Sequence, residues 1–249
     1  MTGSFYDDLA PDYHLLFADW EASMVRQAEW VHSLVQSEWP ATRSVLDAAA
    51  GIGTQALGLA ALGYRVTASD ASGRALERAR READVRGLDV RTVVADLRSL
   101  SASADEFDLV IACDNALPHL LSDDEILRAL RECHRSVRPG GGCLFSVRDY
   151  SAPGAGTEFH PYGVRRTPDG RAILFQVWDW DGPHYDTSLY IVHDAETGGA
   201  TTQVFRSRYY AVAPSRLLEL IAQAGFENVR RIDEGFYQPV LIGTKPRVG

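Results

Sequence analysis

Small and acidic residues stand at the ends of several predicted strands, where they could hold a ligand. Gly51 and Gly53 follow a run of small and apolar residues at 45–50, and their missing Cβ atoms let the backbone approach a bound group. Asp70 ends a second apolar run, placed to accept hydrogen bonds from both hydroxyls of a ribose. Asp96 ends a third run, where an adenine amino group could donate to it. Ligands of open parallel sheets bind beyond the carboxyl ends of strands, so the pattern predicts a nucleotide site.

The glycine segment fits two kinds of nucleotide cofactor. Residues 51–56, Gly-Ile-Gly-Thr-Gln-Ala, match the G-x-G-x-x-A pattern of dinucleotide binding, which is weak when it stands alone. Asp47 lies within the preceding strand, and a carboxylate so close suits a ligand with a cationic amino-acid end better than a pyrophosphate. An aromatic segment precedes that strand, whereas dinucleotide-binding domains often begin directly at their first strand. These two features favour a cofactor with an amino-acid end.

The elements that must position these residues alternate between strands and helices. Apolar runs predict core strands at 44–49, 64–69, 90–95, 107–113 and 143–148, with helices at 19–37, 54–62, 72–86 and from 122 onward. Short strands separated by helices predict parallel βαβ units with right-handed crossovers. The segment 138–142, Arg-Pro-Gly-Gly-Gly, is expected to break the pattern before the last of these strands.

The pattern changes between 151 and 212. Alternating or aromatic-rich runs at 172–180, 188–193 and 202–210 are separated by turn residues and predict an antiparallel insertion. Trp178 and Trp180 fall on one face of such a strand, where aromatic residues usually pack against a sheet. A helix at 214–224 and strands near 229–233 and 240–245 follow. We therefore predict an N-terminal lid and first helix (1–40), an α/β core (41–150), the insertion (151–212) and a closing segment (213–249).

Composition limits the classes of function. The chain has 249 residues, of which 45% are hydrophobic and 24% charged, as in an ordinary globular protein. The net charge of −9 and the absence of a local Lys/Arg cluster argue against nucleic-acid binding. No apolar run is long enough to cross a bilayer, the N-terminus is unlike a secretory signal, and the three cysteines lack metal-ligand spacing. These features predict a cytoplasmic protein with free thiols and without a metal, membrane or nucleic-acid partner.

Four motifs carry a resemblance to a known family. The segments LDAAAGIGT, VTASDAS, FDLVIACDN and VRPGG, in this order over roughly residues 44–150, resemble motifs of class I S-adenosylmethionine-dependent methyltransferases. The resemblance implies a Rossmann-like α/β fold, with a mostly parallel seven-stranded sheet, helices on both faces and an antiparallel β insertion over the active site. It also implies S-adenosylmethionine as the cofactor and S-adenosylhomocysteine as its product. Ala49 replaces the family's usual first glycine.

Further local matches resemble glycine and sarcosine N-methyltransferases and related amine methyltransferases. They are FYDDLAPDYHLLFADW at the N-terminus, RQAEW in the first helix, DNALPHL after the fourth strand and VRDY after the fifth. The resemblance implies that Tyr6 and Arg26 close over the cofactor, and that Asn115 and Arg148, with Tyr6, hold an amino-acid substrate. Leu-Pro at 117–118 replaces the family's more usual Phe-Ala, so cofactor binding is better supported than a glycine substrate.

The resemblance and the strand-end pattern together give one set of expected cofactor contacts, on the lid, the glycine segment and the ends of the strands. The set is Tyr6, His14, Arg26, Ala49, Gly51, Gly53, Asp70, Ala71, Asp96, Leu97 and Cys113.

The expected chemistry is an in-line displacement at a sulfonium methyl group, in which positioning supplies much of the acceleration. A neutral amine needs no deprotonation before it attacks, whereas an alcohol or phenol needs a general base. His119 is the best candidate base, with Tyr13 and His14 behind it, although a structural role for His119 fits equally well. The planar guanidinium of Arg148 suits a substrate carboxylate. We therefore expect an amine nitrogen of a small molecule as the methyl acceptor.

Three alternatives stay open. An O-methyltransferase would use the same fold on a hydroxylated or carboxylated compound. An NAD-dependent oxidoreductase would bind NAD and present a residue placed for hydride chemistry. A non-catalytic regulator would bind the cofactor without turnover. Lids in this family often meet partner subunits, so the resemblance is also compatible with a homo-oligomer.

Overall fold

The computed structural model describes residues 2–152 and 154–247. The helices are α1 Thr2–Leu9, α2 Trp20–Glu38, α3 Thr54–Ala61, α4 Gly73–Arg86, α5 Asp123–Ser136 and α6 Pro214–Gln223, with short 3₁₀ turns at Tyr13–Leu16 and Leu117–His119. The strands are β1 Ser44–Asp47, β2 Arg65–Asp70, β3 Val90–Val94, β4 Phe107–Ala112, β5 Val137–Ser146, β6 Thr157–Thr167, β7 Gly170–Asp181, β8 His184–Ala195, β9 Gly199–Tyr210, β10 Glu227–Ile232 and β11 Val240–Thr244.

A seven-stranded sheet forms the core, in the order β10-β11-β5-β4-β1-β2-β3. All adjacent pairs from β5 to β3 are parallel, and only β11 runs against its neighbours. The chain leaves β1 towards β2 and β3 on one side and returns to β4 and β5 on the other. The strand order therefore reverses between β1 and β4, which is where open α/β sheets bind ligands.

The sheet is buried on both faces, which explains why its strands are nearly continuous apolar runs. Val45 of β1 packs with residues of α2 and α3, whereas Leu46 packs on the opposite side with α5 and α6. Helices α2 and α3 approach closely because Gly58 has no side chain, since a Cβ there would lie 2.6 Å from Ala28 Cβ. Ser72 and Ser122 cap α4 and α5 through their side-chain oxygens.

Strands β6 to β9 form a second sheet in which the spatial order follows the sequence order. All three pairings are antiparallel, as predicted for the insertion. Alternate residues of β7 and β8 face inward and pack against the N-terminal segment, where Phe5, Leu9 and Leu15 meet Leu174 and Leu189. The residues from Thr2 to Phe17, here named the lid, therefore lie between this sheet and the core.

One expectation about strands is wrong, and one strand was not foreseen. The segment 138–142 does not break the chain but lies within β5, and it pairs with β4 through an irregular register. Gly142 is required inside this strand because the Trp39 indole ring occupies the space where its Cβ would stand. Strand β6 was not predicted, because its exposed outer positions and Gly163, with a φ of 99°, obscure the alternation.

No helix within residues 2–152 and 154–247 combines the length and apolar character needed to span a membrane. The same residues contain no cluster of three or more His, Cys, Asp or Glu side chains suited to a metal ion. All three cysteines are buried and unbridged.

Candidate functional site

A cavity of about 270 Å³ lies at the carboxyl ends of the core strands, and we call it the strand-end cavity. It sits at the reversal of strand order between β1 and β4, where the topology predicts a ligand. It brings together ten residues of the predicted site: Tyr6, Tyr13, Ala49, Gly51, Asp70, Ala71, Asp96, Leu97, Cys113 and His119.

The Asp70 carboxylate is fixed at the end of β2 by the backbone around it. Its Oδ2 accepts a hydrogen bond from Gly51 N at 2.8 Å, and its Oδ1 accepts one from Ser72 N at 2.8 Å. Gly51 has a φ of 52°, which favours glycine. The carboxylate is thus held at the cavity wall with lone pairs to spare, and burial raises its pKa above the usual range. This geometry suits a pair of hydroxyl donors on a ligand.

Three carboxylates crowd the wall of the strand-end cavity or lie just beneath it. Burial raises the pKa of Asp47 to about 8, and its charge is also opposed by Asp70 and Asp114. Burial raises the pKa of Asp114 to about 6. Oδ1 of Asp114 has no hydrogen-bond partner, whereas the backbone at Ala49 and Ala56 partly stabilises the charged form of Asp47. Buried, unpaired carboxylates are costly. A ligand with positive charges, such as the ammonium and sulfonium of S-adenosylmethionine, would relieve this cost, so the residues present fit that group.

The stability of the ligand-free protein should fall as the pH rises because of Asp47. Its pKa is raised from 3.8 to about 8, so the folded protein retains a proton that the unfolded chain releases. Between these values, unfolding releases that proton, and the free energy of unfolding decreases with pH. Asp47→Asn should remove this contribution. Denaturant unfolding from about pH 5 to about pH 8 should therefore show a shallower loss of stability in the variant. Parallel slopes for the two proteins would contradict the assignment.

The far end of the strand-end cavity carries an ion-pair network. Arg98 donates to Asp96 from Nε at 2.9 Å and from Nη2 at 2.6 Å. Arg98 also pairs with Glu125 of α5. The hydrogen bonds from Arg98 hold the pKa of Asp96 below its usual range. Asp96 is therefore an ionised acceptor at the cavity wall, and its contact with an adenine amino group stays a prediction.

The lid covers this cavity with two tyrosines. Tyr6 OH lies 2.7 Å from His119 Nε2, and the ring of Tyr13 lies over Gly51. Burial raises the pKa of both tyrosines well above 10, so both hydroxyls stay protonated at neutral pH. The lid therefore presents neutral hydrogen-bonding groups to whatever occupies the cavity.

Two arginines hold the lid by its backbone. Arg78 of α4 donates to Ala10 O at 2.7 Å and to Pro11 O at 2.8 Å. Arg165 of β6 donates from Nε to Leu15 O at 3.0 Å and to Phe17 O at 2.7 Å. One clamp comes from the core and the other from the antiparallel sheet, so both parts of the fold keep the lid closed.

A second cavity of about 610 Å³ lies between the lid, α2 and the antiparallel sheet, and we call it the lid cavity. Arg148 lines it and donates to Tyr185 OH at 3.1 Å and Tyr162 OH at 3.3 Å, with its guanidinium 4.8 Å from the Trp178 ring centre. Within the described residues Arg148 forms no ion pair with a carboxylate. Arg26 lines the same cavity, where its Nη2 donates to Ser23 Oγ. The lid cavity thus offers cations to an anionic ligand group.

The predicted base His119 is poorly suited to removing a proton in this conformation. Burial and the nearby charge of Arg148 lower its pKa to about 3. Its Nε2 is also engaged by Tyr6 OH. The arrangement makes His119 a neutral partner that positions the lid tyrosine. Its role as a catalytic base remains a prediction that this geometry disfavours.

Three predicted site residues line neither cavity. Asn115 is buried and uses its amide within the protein, since Oδ1 accepts from Arg148 N at 3.0 Å and Nδ2 donates to Tyr150 OH at 2.9 Å. Asn115 therefore positions the backbone of Arg148, whereas the resemblance implies that Asn115 itself contacts the substrate. Gly53 begins α3 with a φ of 93° and packs against Leu57. His14 is half-buried, and burial together with the charge of Arg78 lowers its pKa. It lines neither cavity.

Sequence reasoning missed Asp114, Gln55, Tyr162 and Tyr209. Tyr6, Tyr13 and Asp114 line both cavities, so these three residues mark where the cavities meet. One sequence feature could have pointed to Asp114, namely its place beside Asn115 directly after the predicted fourth strand. Asp and Asn tolerate the left-handed backbone region better than most residues, and both adopt it here. No local signal marks Tyr162 and Tyr209, which come from the antiparallel sheet.

Comparison with known proteins places the site in context. Residues 45–141 match the family described as Methyltransferase domain. The glycine/sarcosine N-methyltransferase of Parasynechococcus marenigrum is 32% identical over 133 residues, which are 53% of this chain and 46% of that protein. The ubiquinone biosynthesis O-methyltransferase of Methylocella silvestris is 41% identical over 97 residues, which are 39% of this chain and 36% of that protein. The matched part of this chain thus spans less than half the length of either relative.

The fold is shared with solved structures. The amino pentose methyltransferase CalS10 of Micromonospora echinaspora, described as bound to S-adenosylmethionine, matches with a TM-score of 0.77. Sequence identity is 16%, and the match covers 90% of this chain and 92% of that chain. The predicted seven-stranded core with an antiparallel insertion is therefore confirmed, and solved methyltransferase structures share this fold.

Proposed function

We propose that this chain, whose residues 45–141 match the Methyltransferase domain family, is a class I S-adenosylmethionine-dependent methyltransferase that transfers a methyl group to an amine nitrogen of a small molecule. The observation that carries this proposal is the junction of two cavities with opposite charge. The strand-end cavity is rich in carboxylates, the lid cavity contains Arg148, and Tyr6, Tyr13 and Asp114 border both. In-line transfer needs the donor and the acceptor to meet in this way.

The strand-end cavity is the proposed site for S-adenosylmethionine, which supplies a methyl group activated by a sulfonium. Asp70 would accept hydrogen bonds from the ribose hydroxyls, and the segment from Ala49 to Gly51 would let the backbone lie close to the bound group. Asp47, just beneath the wall of this cavity, would favour its positive charges. The G-x-G-x-x-A segment falls inside the methyltransferase match, which supports this cofactor over NAD.

The weak bases around the junction favour an amine over a hydroxyl group. A hydroxyl acceptor would need a general base near its oxygen. The pKa of His119 is lowered to about 3 by burial and Arg148, and burial keeps Tyr6 and Tyr13 protonated. Asp114 is the strongest base at the junction, and its pKa of about 6 suits the proton of an ammonium group better than that of a hydroxyl. An amine needs only to shed the proton of its ammonium form, which is a far weaker demand. O-methylation of a small molecule is the second candidate, favoured only by the O-methyltransferase relative.

The acceptor is proposed to carry a carboxylate that Arg148 holds. Arg148 has donors directed to tyrosine hydroxyls but no carboxylate partner among the residues that the structure describes. A planar guanidinium in a partly enclosed, aromatic cavity is well suited to a bidentate carboxylate. Asn115 fixes the backbone of Arg148, which keeps this contact in place without touching the acceptor.

Titration calorimetry with S-adenosylhomocysteine and, separately, with NAD tests the cofactor. We expect binding of the first and not of the second. Turnover is then measured with glycine, sarcosine, L-phenylalanine, L-tyrosine and 2-phenylethylamine, together with a phenol and a carboxylic acid without an amine. Methylation confined to the phenol or the acid would favour O-methylation. Binding without turnover of any compound would favour the non-catalytic alternative.

Glycine should be a poorer acceptor than an amino acid with a large side chain. The lid cavity of about 610 Å³ is lined by many aromatic and apolar residues, among them Leu9, Tyr162 and Leu189. Pockets of this size usually bury much larger ligands than glycine. The value of kcat/KM for L-phenylalanine should exceed that for glycine by about tenfold or more, because side-chain burial adds binding energy. Equal values for the two acceptors would contradict a role for this cavity in acceptor binding.

A further inference from the structure

Asp114 lies at the junction of the two cavities on an unusual turn of the backbone. Asp114 and Asn115 have φ values of 58° and 66°, so two consecutive non-glycine residues adopt the left-handed region. Such conformations cost energy and persist where the surroundings fix them, often at functional sites. Here Ser146 of β5 fixes both residues, because its Oγ accepts from Asp114 N at 2.9 Å and its carbonyl accepts from Asn115 N at 3.0 Å.

The Asp114 carboxylate is braced on one oxygen and free on the other. Gln55 Nε2 lies 3.4 Å from Oδ2 and is itself held by Gln27 Oε1 at 2.5 Å. Oδ1 is shielded from solvent and has no hydrogen-bond partner. A buried carboxylate oxygen without a donor is costly, so a donor on a ligand would stabilise it. Asp114 lines both cavities, so a ligand in either cavity can bring such a donor to its carboxylate.

The charged and titratable groups around Asp114 come from five parts of the fold. Arg148, after β5, favours its charged form, and the charge of Asp114 in turn raises the pKa of Asp47 of β1. Tyr13 of the lid and Cys113 after β4 also feel the charge of Asp114, and burial raises the pKa of both well above their usual values. Asp70 of β2 adds negative charge near Asp47 and Tyr13. Because Tyr13 and Cys113 stay neutral, Arg148 is the charged group among these that stabilises the charged form of Asp114.

We propose that Asp114 receives the ammonium group of the acceptor and takes one of its protons, while Arg148 holds the carboxylate of the same molecule. This inference rests on the proposed function and makes it more specific. The acceptor class is then a primary or secondary amine that also carries a carboxylate. Asp114 orients the nitrogen at the junction, and Arg148 sets the distance from that nitrogen to the rest of the acceptor.

The atoms of this step balance without a further reactant. One N–H proton of the ammonium passes to Asp114 Oδ1, which leaves a lone pair on nitrogen. The lone pair forms a bond to the methyl carbon as the carbon–sulfur bond breaks, and the electron pair of that bond stays on sulfur. The nitrogen gains the positive charge that the sulfur loses. Asp114 then returns its proton to solvent when the product leaves.

Asp114→Asn is the direct test, because asparagine has the same shape and tolerates a left-handed backbone. Asp84→Asn serves as the matched control, since Asp84 is exposed on α4 and the substitution changes the net charge equally. The affinity for S-adenosylhomocysteine should stay within about threefold of wild type for both variants. For the best amine of the panel, kcat/KM at about pH 7 should fall by about tenfold or more in Asp114→Asn alone.

The pH profile separates proton transfer from a structural effect. In the wild type, kcat/KM should rise through an apparent pKa close to that of Asp114, which burial raises to about 6. In Asp114→Asn this limb should disappear and activity should rise only as the amine itself loses its proton. A variant with the wild-type profile and rate would overturn the inference while the proposed function stands. A loss of S-adenosylhomocysteine affinity beyond about tenfold would instead assign Asp114 to the cofactor.

A binding experiment keeps the test independent of turnover. In the complex with S-adenosylhomocysteine, Asp114→Asn should weaken binding of L-phenylalanine and leave binding of 3-phenylpropanoate, which lacks the amine, unchanged. Equal weakening of the two compounds, or binding of neither to the wild type, would overturn the inference. Failure of the wild type to bind S-adenosylhomocysteine would overturn the proposed function as well, so the two failures are distinguishable.

Discussion

Replacement of Arg148 by leucine is expected to lower kcat/KM for a carboxylate-bearing amine by roughly 30- to 1,000-fold. The change removes the cation that faces the lid cavity and leaves the acceptor carboxylate without a partner, which costs about 2–4 kcal/mol. Arg148 lines the lid cavity and not the strand-end cavity. The affinity for S-adenosylhomocysteine should therefore change by no more than about twofold, and calorimetry beside steady-state kinetics measures both quantities.

Two comparisons make this result specific. Arg148→Lys keeps the charge but loses the planar fork, so it should recover only part of the activity. Arg128→Leu removes an exposed arginine of α5 and should leave both quantities unchanged. With 2-phenylethylamine, which has no carboxylate, the Arg148 variants should lose much less activity than with L-phenylalanine, because only the effect of Arg148 on Asp114 is then removed. A drop in cofactor affinity instead of acceptor turnover would assign Arg148 to the other cavity.

Asp70→Ala should weaken binding of S-adenosylhomocysteine by about 1.5–3 kcal/mol, or roughly 10- to 150-fold. The carboxylate stands at the end of β2 with both oxygens in place, so it would form charge-assisted hydrogen bonds to a ribose. The substitution also removes the acceptors of Gly51 N and Ser72 N, which loosens the glycine segment. Titration calorimetry on wild type and variant measures the loss.

The control for Asp70 is Asp89→Ala, which removes an exposed carboxylate before β3. It should bind S-adenosylhomocysteine as the wild type does. Asp70→Asn keeps one oxygen acceptor and should fall between Asp70→Ala and the wild type. If Asp70→Ala binds with unchanged affinity, Asp70 does not hold the ribose, and its role is confined to fixing Gly51 and Ser72.

The fold of the core could be predicted from sequence because its signals are local. Apolar runs buried on both faces mark the strands, and the side chains of Ser72 and Ser122 mark the starts of α4 and α5. The rule for strand ends then brings Gly51, Asp70 and Asp96 to one cavity, although they lie far apart in the chain. The glycine-rich part of β5 was misjudged because its glycines are explained by contacts elsewhere in the fold: the Trp39 ring beside Gly142 and the Asp108 carbonyl beside Gly141.

The chemistry of the site could not be predicted to the same extent because it depends on distant segments. His119 is a plausible base in the sequence, but burial and Arg148 lower its pKa and Tyr6 occupies its Nε2. Asn115 has the right residue type for a ligand contact, yet Arg148 and Tyr150 use both ends of its amide. Sequence gives the type of a side chain, whereas tertiary packing decides its protonation and its free hydrogen-bonding groups.

The pairing pattern of the two sheets has a consequence for the order of folding. Each strand of the antiparallel sheet pairs with the next one in sequence, so its hairpins can form from local contacts. In the core sheet, by contrast, Val45 of β1 can pair with Leu109 of β4 only after the chain between them has been made. The lid also depends on distant residues, because Leu15 is clamped by Arg165, which lies 150 positions later. The lid precedes every strand in the chain, yet it can be fixed in place only after the antiparallel sheet has been made, and the lid cavity can close only then.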